Sequence, residues 1–262
     1  MKKDQLWYRL RGLDKMEERF GDKPIQKFLK RRTKIEDKIR VMELGFGEGR
    51  CLLELRALFP EFEYYGINNI KKGNMSARSD FHKNSNKFEL NLPNKNMPKP
   101  FFYDAGKGLH FDSNSLDLIM SQVAFHYVGD KSKLIEEMWR VLKPGGKAFL
   151  HIDAVPKDNY PDFMKFNSET PRFVIYDGDR MIKLSNYVER IKKRGYDINF
   201  RNASNNNDQR VLLLTKNTRK KLDFGLSFDG NSTLYLTQMR GTDSYKTEGG
   251  VWWGTRSVYH VK

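Results

Sequence analysis

The residues best suited to chemistry form one short run, Glu43-Leu44-Gly45-Phe46-Gly47-Glu48-Gly49. Glycine has no Cβ and enters left-handed backbone conformations freely. Alternating glycines therefore let a chain turn tightly and bring its amides against a ligand. Where such a loop opens a helix, the free N–H groups and the positive end of the helix dipole add to that affinity. A glycine triplet alone leaves a nucleotide cofactor, a dinucleotide or a bare turn open. The spacing Glu-x-Gly-x-Gly-x-Gly is not the Gly-x-Gly-x-x-Gly of dinucleotide sites. A second candidate run is Ser121-Gln122-Val123-Ala124-Phe125-His126-Tyr127. Its His126 is a candidate general base, because imidazole titrates near neutral pH. The alternative is that it only packs or hydrogen-bonds. The five histidines, at 82, 110, 126, 151 and 260, show no ligand spacing, so no metal is expected. The one cysteine, Cys51, falls on an expected helix and reads as a small buried residue, not a nucleophile.

These groups need strands and helices to position them. Ile39–Leu44 is a short apolar run ending in glycines, hence a buried strand. Residues 48–59 set Leu52, Leu53, Leu55 and Leu58 at helical spacing. Further strands are expected at 62–67, 101–103, 116–123 and 147–152. A helix over 131–142 should end at Lys143-Pro144-Gly145-Gly146, which cannot continue it and makes a tight turn. Residues 70–83 are compatible with a helix, and 83–100, rich in Asn, Lys and Pro, read as a loop or insertion. A helix over 184–194 closes at Gly195. Strands at 196–200 and 211–215 follow with no helix between them, so one should run antiparallel. This alternation predicts an α/β fold: an open, doubly wound, mostly parallel sheet with helices on both faces. Ligands of such sheets bind at the carboxyl ends of the strands, where both runs fall.

The flanks differ. Residues 1–37 read as a helical N-terminal extension, with Leu6, Tyr8, Leu10, Leu13 and Met16 as an apolar face. Lys27-Phe28-Leu29-Lys30-Arg31-Arg32 is a basic cluster within it. Residues 38–216 form the main domain. In 217–262, Leu222, Phe224, Leu226 and Phe228 alternate, Asp229-Gly230 follows, and Leu234 and Leu236 alternate again. That predicts a C-terminal β-hairpin extension.

The glycine run resembles the first motif of class I, Rossmann-like S-adenosylmethionine-dependent methyltransferases. The resemblance continues in order through Tyr65-Gly66-Ile67-Asn68-Asn69, Tyr103-Asp104-Ala105, the stretch from Leu109 to Ile119, and Leu134 to Gly146. It covers about residues 38–216 and implies a seven-stranded sheet with S-adenosylmethionine as cofactor. It further implies that Gly45, Phe46, Gly47 and Gly49 wrap the cofactor's amino-acid end. Glu43 would accept from its ammonium group or orient the loop amides. Asn68, with Asn69 beside it, stands where the family usually has an acidic residue gripping the ribose hydroxyls. Asparagine keeps an acceptor oxygen but loses the charge. Asp104 would accept from the adenine amino group, and the Ala105 N–H would meet a ring nitrogen. Gln122 would touch the cofactor, and His126 and Tyr127 would border the acceptor as catalytic groups. The Asn/Asp-Pro-Pro-Tyr/Phe signature of adenine amino methylation does not occur at 121–127, which disfavours that chemistry.

The acceptor stays open between readings. Residues 109–152 look most like the broad family acting on metabolites, which favours a small-molecule or lipid acceptor. Residues 121–127 also resemble the equivalent stretch of mRNA cap guanine-N7 methyltransferases, which makes RNA the alternative. A third reading is a catalytically silent, cofactor-binding partner subunit. The net charge of +15, from 48 Lys+Arg against 33 Asp+Glu, favours anionic partners such as RNA, though a solvated lysine-rich surface accounts for it equally. One cysteine excludes an intrachain disulfide and fits a reducing compartment. No signal peptide or membrane span is legible, so a soluble cytoplasmic protein is expected.

Overall fold

The computed structural model describes residues 12–69, 80–95, 97–122, 124–125, 131–151, 173–177, 180–182, 189, 191–222 and 234–238. Five strands pair in parallel: β1 (Arg40–Leu44), β2 (Glu63–Asn68), β3 (Lys99–Phe102), β4 (Leu116–Ser121) and β5 (Leu142–His151). Two more complete the sheet, β8 (Asp197–Ala203) and β9 (Asn206–Thr215), and β9 runs antiparallel to both β5 and β8. The order is β3-β2-β1-β4-β5-β9-β8, a seven-stranded sheet with one antiparallel member. The expected architecture is present, including the reversed strand where no helix separates the last two.

β4 is buried at every position because it is central and covered on both faces. On one face α3 (Arg50–Leu58) buries Cys51, Leu52, Leu53 and Leu55. On the other, α5 (Lys131–Val141) buries Leu134, Ile135, Met138 and Trp139, and the Trp139 indole donates to the Lys220 carbonyl at 2.9 Å.

Within the N-terminal extension, α1 (Leu13–Phe20) and α2 (Pro24–Arg32) place Met16, Phe20, Ile25 and Leu29 in the α3-side core. The Glu17 carboxylate accepts from the Ile25 and Gln26 amides at 2.8 and 2.9 Å. This satisfies donors that the start of α2 cannot pair internally. Burial pushes the Glu17 carboxyl above its ordinary value, against those two amides. At the other end of α2, Arg32 Nε donates to Asp117 Oδ1 at 2.9 Å. Lys143 Nζ lies 3.0 Å from Asp117 Oδ2, and the Arg40 amide donates to the same oxygen at 2.9 Å. The helical extension is thus locked onto the amino end of β4.

Two segments differ from the sequence reading, and a third pairs beyond it. The turn Lys143–Gly146 lies within β5, not before it. Pairing shifts between Leu116↔Leu142 and Leu118↔Lys147, so the turn is a bulge in the ladder. Gly145 has φ +76° and donates to the Lys216 carbonyl at 2.7 Å, while the Lys216 amide donates to Gly146 at 2.9 Å. Those partners keep the segment in the sheet. Secondly, α4 (Phe81–Lys87) starts in the helix-compatible stretch and runs on into the expected loop, and 70–79 lie outside the described residues. Asp80 caps this helix by accepting from the Lys83 amide at 3.0 Å. Burial of Phe81, Asn84 and Ser85 offsets the weak helix propensity of its asparagines. Thirdly, β10 (Leu234–Gln238) pairs antiparallel with β6 (Phe173–Asp177), which also pairs with β7 (Arg180–Ile182). Of the arm at 222–228 with which a hairpin was expected, only Leu222 is among the described residues, and it is not in a strand. Alternation specified a strand but not its partner.

Candidate cofactor site

The carboxyl ends of β1, β2, β3 and β4 lie side by side, and the glycine run leaves the sheet there. Gly45 donates to the Ile67 carbonyl at 2.7 Å as it leaves β1. Gly45, Gly47 and Gly49 have φ of +71°, +57° and +79°, conformations that side chains with a Cβ adopt only at a cost. Space is also limiting. A Cβ on Gly45 would sit 2.0 Å from the Ala124 Cβ, and one on Gly49 2.1 Å from the Phe81 ring. Phe46 is 2% exposed and points into the fold. Its ring lies against Gly66 and stacks on Phe81 with centroids 5.1 Å apart, so its backbone is the part a ligand can reach. The α4 helix braces the loop from outside: Asn84 Nδ2 donates to the Glu48 carbonyl at 2.9 Å, and Lys87 Nζ pairs with the Glu48 carboxylate at 2.8 Å.

Asn68 ends β2 and is 3% exposed. Its Oδ1 accepts from the Gly47 amide at 3.3 Å, and its Nδ2 donates to the Gly47 carbonyl at 3.4 Å. The residue expected at the ribose and a glycine expected at the cofactor's amino-acid end are therefore in contact. Asn69 beside it is exposed. The Tyr103 amide donates to the Asn68 carbonyl at 3.0 Å, which sets the β3 loop alongside. There Asp104 is exposed, and its Oδ1 accepts from the Gly106 amide at 3.0 Å, capping a 3-10 turn over Ala105–Lys107. Ala105 is buried. The Tyr103 ring stacks on His110 at 4.0 Å, and burial pushes its phenol above the ordinary value.

Glu43 is buried at the root of the loop, its backbone between Gly66 of β2 and Met120 of β4. Gln122 is buried on the α1 side. Its Oε1 accepts from Arg19 Nη1 at 2.7 Å, and its Nε2 donates to the Gly12 carbonyl at 3.2 Å. Its amide thus ties β4 to the N-terminal helix. Cys51 is buried as expected. Burial pushes its thiol well above the ordinary value, and the carboxylates of Glu43, Glu54 and Glu17 add to that. His126 and Tyr127 lie outside the described residues.

Ser121 was not legible as a site residue. Its backbone pairs with Leu44, directly before the glycines, and its buried Oγ has no hydrogen-bond partner among the described residues. Buried hydroxyls are ordinarily satisfied. The available signal was a small polar residue ending the otherwise apolar run Leu118-Ile119-Met120.

A loop of left-handed glycines, a carboxylate at its root, an amide on the loop and an unsatisfied hydroxyl suit a ligand bearing ammonium, hydroxyl and adenine groups. Residues 42–150, which run from β1 to β5, match the family described as a methyltransferase domain. Over this segment, 109 of the 262 residues, the chain is similar to methyltransferase domains. The chain is similar to two solved S-adenosylmethionine-dependent methyltransferases. One, from Methanosarcina mazei, is 18% identical with a TM-score of 0.46, over 74% of this chain and 97% of the other. The second, from Aquifex aeolicus, is 15% identical with a TM-score of 0.45, over 82% of this chain and 98% of the other. Among the described residues, no helix is long and apolar enough to cross a membrane.

Proposed function

We propose that this methyltransferase acts on a nucleophile of a small molecule or lipid. The geometry of the glycine loop carries the catalytic part of this reading: three left-handed glycines at the carboxyl end of β1, with Asn68 against Gly47. When bound, S-adenosylmethionine supplies a sulfonium-activated methyl group open to direct displacement. The chain's task is then chiefly alignment. Glu43 and the amides of Gly45 to Gly49 hold the amino-acid end, Asn68 and Asn69 the ribose, and Asp104 with the Ala105 amide the adenine. Gln122 holds β4 against α1, and through it the position of Ser121 beside the loop. His126 and Tyr127 follow β4 in sequence and border the acceptor. His126 takes the acceptor's proton where there is one to lose. The likeness of residues 109–152 to metabolite enzymes supports the acceptor class.

Calorimetry with S-adenosylmethionine and its demethylated product tests the cofactor reading: no heat from folded protein with either would sink it. A labelled-donor screen against lipid, metabolite and RNA pools tests the acceptor. The net charge of +15 supports RNA as a second reading, which predicts label in RNA and an affinity falling steeply with salt. Donor binding with no turnover in any pool would support the silent-subunit reading instead.

A further inference from the structure

None of the residues proposed above for the cofactor or the acceptor lies on the basic helix near the N-terminus. Residues 23–35 carry Lys23, Lys27, Lys30, Arg31, Arg32 and Lys34 and no acidic residue. The fold adds cations from far along the chain, Lys147 on β5 and Arg201 on β8, and these face α2 across a groove of about 470 Å³. That volume lies within the range of small-ligand clefts. Pro24, Phe28 and Arg31, recurring along one side of α2, form one wall with Ile35 just past the helix end. Phe149 and Leu213, cross-strand partners on β5 and β9, form the floor.

No carboxylate lines this groove among the described residues. Arg32 is committed to Asp117 and Glu36, and Lys27 pairs with Asp22 at the exposed rim. Arg31 and Lys147 have no carboxylate partner among the described residues. Arg201 donates to neutral groups, the carbonyls of Phe20 and Asn202 and the Ser204 hydroxyl. Uncompensated like charges around one apolar floor repel one another, so folding alone gives no reason to gather them.

We propose that this groove binds an anionic amphiphile: one apolar chain ending in a phosphate or carboxylate. Arg31, Lys147 and Arg201 hold the head, and Phe28, Ile35 and Leu213 take the chain. A polynucleotide fits less well, because its bases need open ring faces on which to stack. Here Lys147 Nζ already lies over the Phe28 ring, 5.7 Å from its centroid. The Phe149 ring is buried and meets Phe20 edge to face at 5.0 Å. The groove is also distinct from the cofactor loop. Lys147 pairs with Leu118, roughly 10 Å along β4 from Ser121. The assignment goes beyond the acceptor reading and stands without it.

The test is a titration of the full chain, without methyl donor, with dodecyl phosphate below its micelle concentration. Parallel titrations use inorganic phosphate, dodecanol, anionic phosphatidylglycerol vesicles and a single-stranded RNA oligomer. Saturable one-to-one binding of dodecyl phosphate is expected, at least about tenfold tighter than either inorganic phosphate or dodecanol. Arg31→Glu and Lys147→Glu should each weaken it about tenfold while leaving affinity for the demethylated cofactor product unchanged. Unchanged affinity in both variants, or equal binding of inorganic phosphate, overturns the proposal. RNA binding that is tighter and lost in the same variants overturns it in favour of a polynucleotide. Vesicle binding without monomer binding overturns it in favour of a membrane surface. If the wild type binds dodecyl phosphate but not the demethylated product, the groove stands and the cofactor reading falls.

Discussion

Asp117 and Ser121 stand four residues apart on the central strand, and the chain surrounds them in contrary ways. Asp117 is 0% exposed and meets Arg32, Lys143 and the Arg40 amide. Each of those contacts comes from a different element, so one carboxylate fixes α2, β1 and the β5 bulge together. Around Ser121 the framework is glycines and amides: Gly45 below Ala124, Asn68 against Gly47, Gln122 against Arg19. The distances between Asn68 and Gly47 are long for hydrogen bonds. One end of the strand is closed by strong, committed ion pairs. The other leaves polar groups that a ligand can engage without first displacing a buried ion pair. The contrast assigns stability to the amino end, and the proposed site lies at the carboxyl end.

Asp117→Ala should produce the largest effect. Removing one partner of a buried charge cluster typically costs about 3–5 kcal/mol. Urea denaturation should show that loss, while the remaining folded protein keeps its affinity for the demethylated cofactor product. If affinity falls too, the two ends are not separable. Gly47→Val works from the other end. A branched residue at φ +57° carries strain of about 1–3 kcal/mol, and its side chain fills space the cofactor needs. Calorimetry should then find no binding. Asn68→Asp should preserve or tighten binding, since the acceptor oxygen facing Gly47 remains and the family's usual charge returns. A large loss would mean that the ribose contact lies elsewhere.

The smallest effect concerns Glu63, on the outer part of the sheet. Burial opposes its ionisation, but Lys38, Tyr65 and Arg40 donate to it and hold its carboxyl at about 2, below the ordinary 4.5. A depressed folded-state value stabilises the protein above the unfolded value and loses that contribution as pH falls. Thermal melts should therefore decline from pH 4.5 towards pH 2, and Glu63→Gln should flatten that decline. Solvent screening keeps the effect modest. Equal slopes in both proteins would remove Glu63 from the account.

The sheet was legible because its strands are apolar runs cut by glycine and proline, as in Ile39–Leu44 and Leu116–Ser121. Of the candidate site, the turn of the loop was legible, because it depends on backbone conformation at Gly45, Gly47 and Gly49. Contacts between distant residues were not. Arg19 finds Gln122, and Arg32 finds Asp117, only once α1 and α2 fold back on the sheet. The short helix at Phe81–Lys87 was hidden by its asparagines, whose propensity is overruled by the Asp80 cap and by packing on the loop. The strand at Leu234–Gln238 was legible as a strand, but pairing with Phe173–Asp177 is a long-range choice that alternation does not encode.

Cys51 lies two residues beyond the last glycine of the loop and is the chain's only sulfhydryl. A thiol reagent can reach it only when the first turn of α3 opens. Its rate of capture is therefore a stopwatch on that opening, read at one position without any engineered label. A ligand that grips the loop should slow the stopwatch in proportion to its occupancy, whereas one seated beside α2 should leave it running at the same pace.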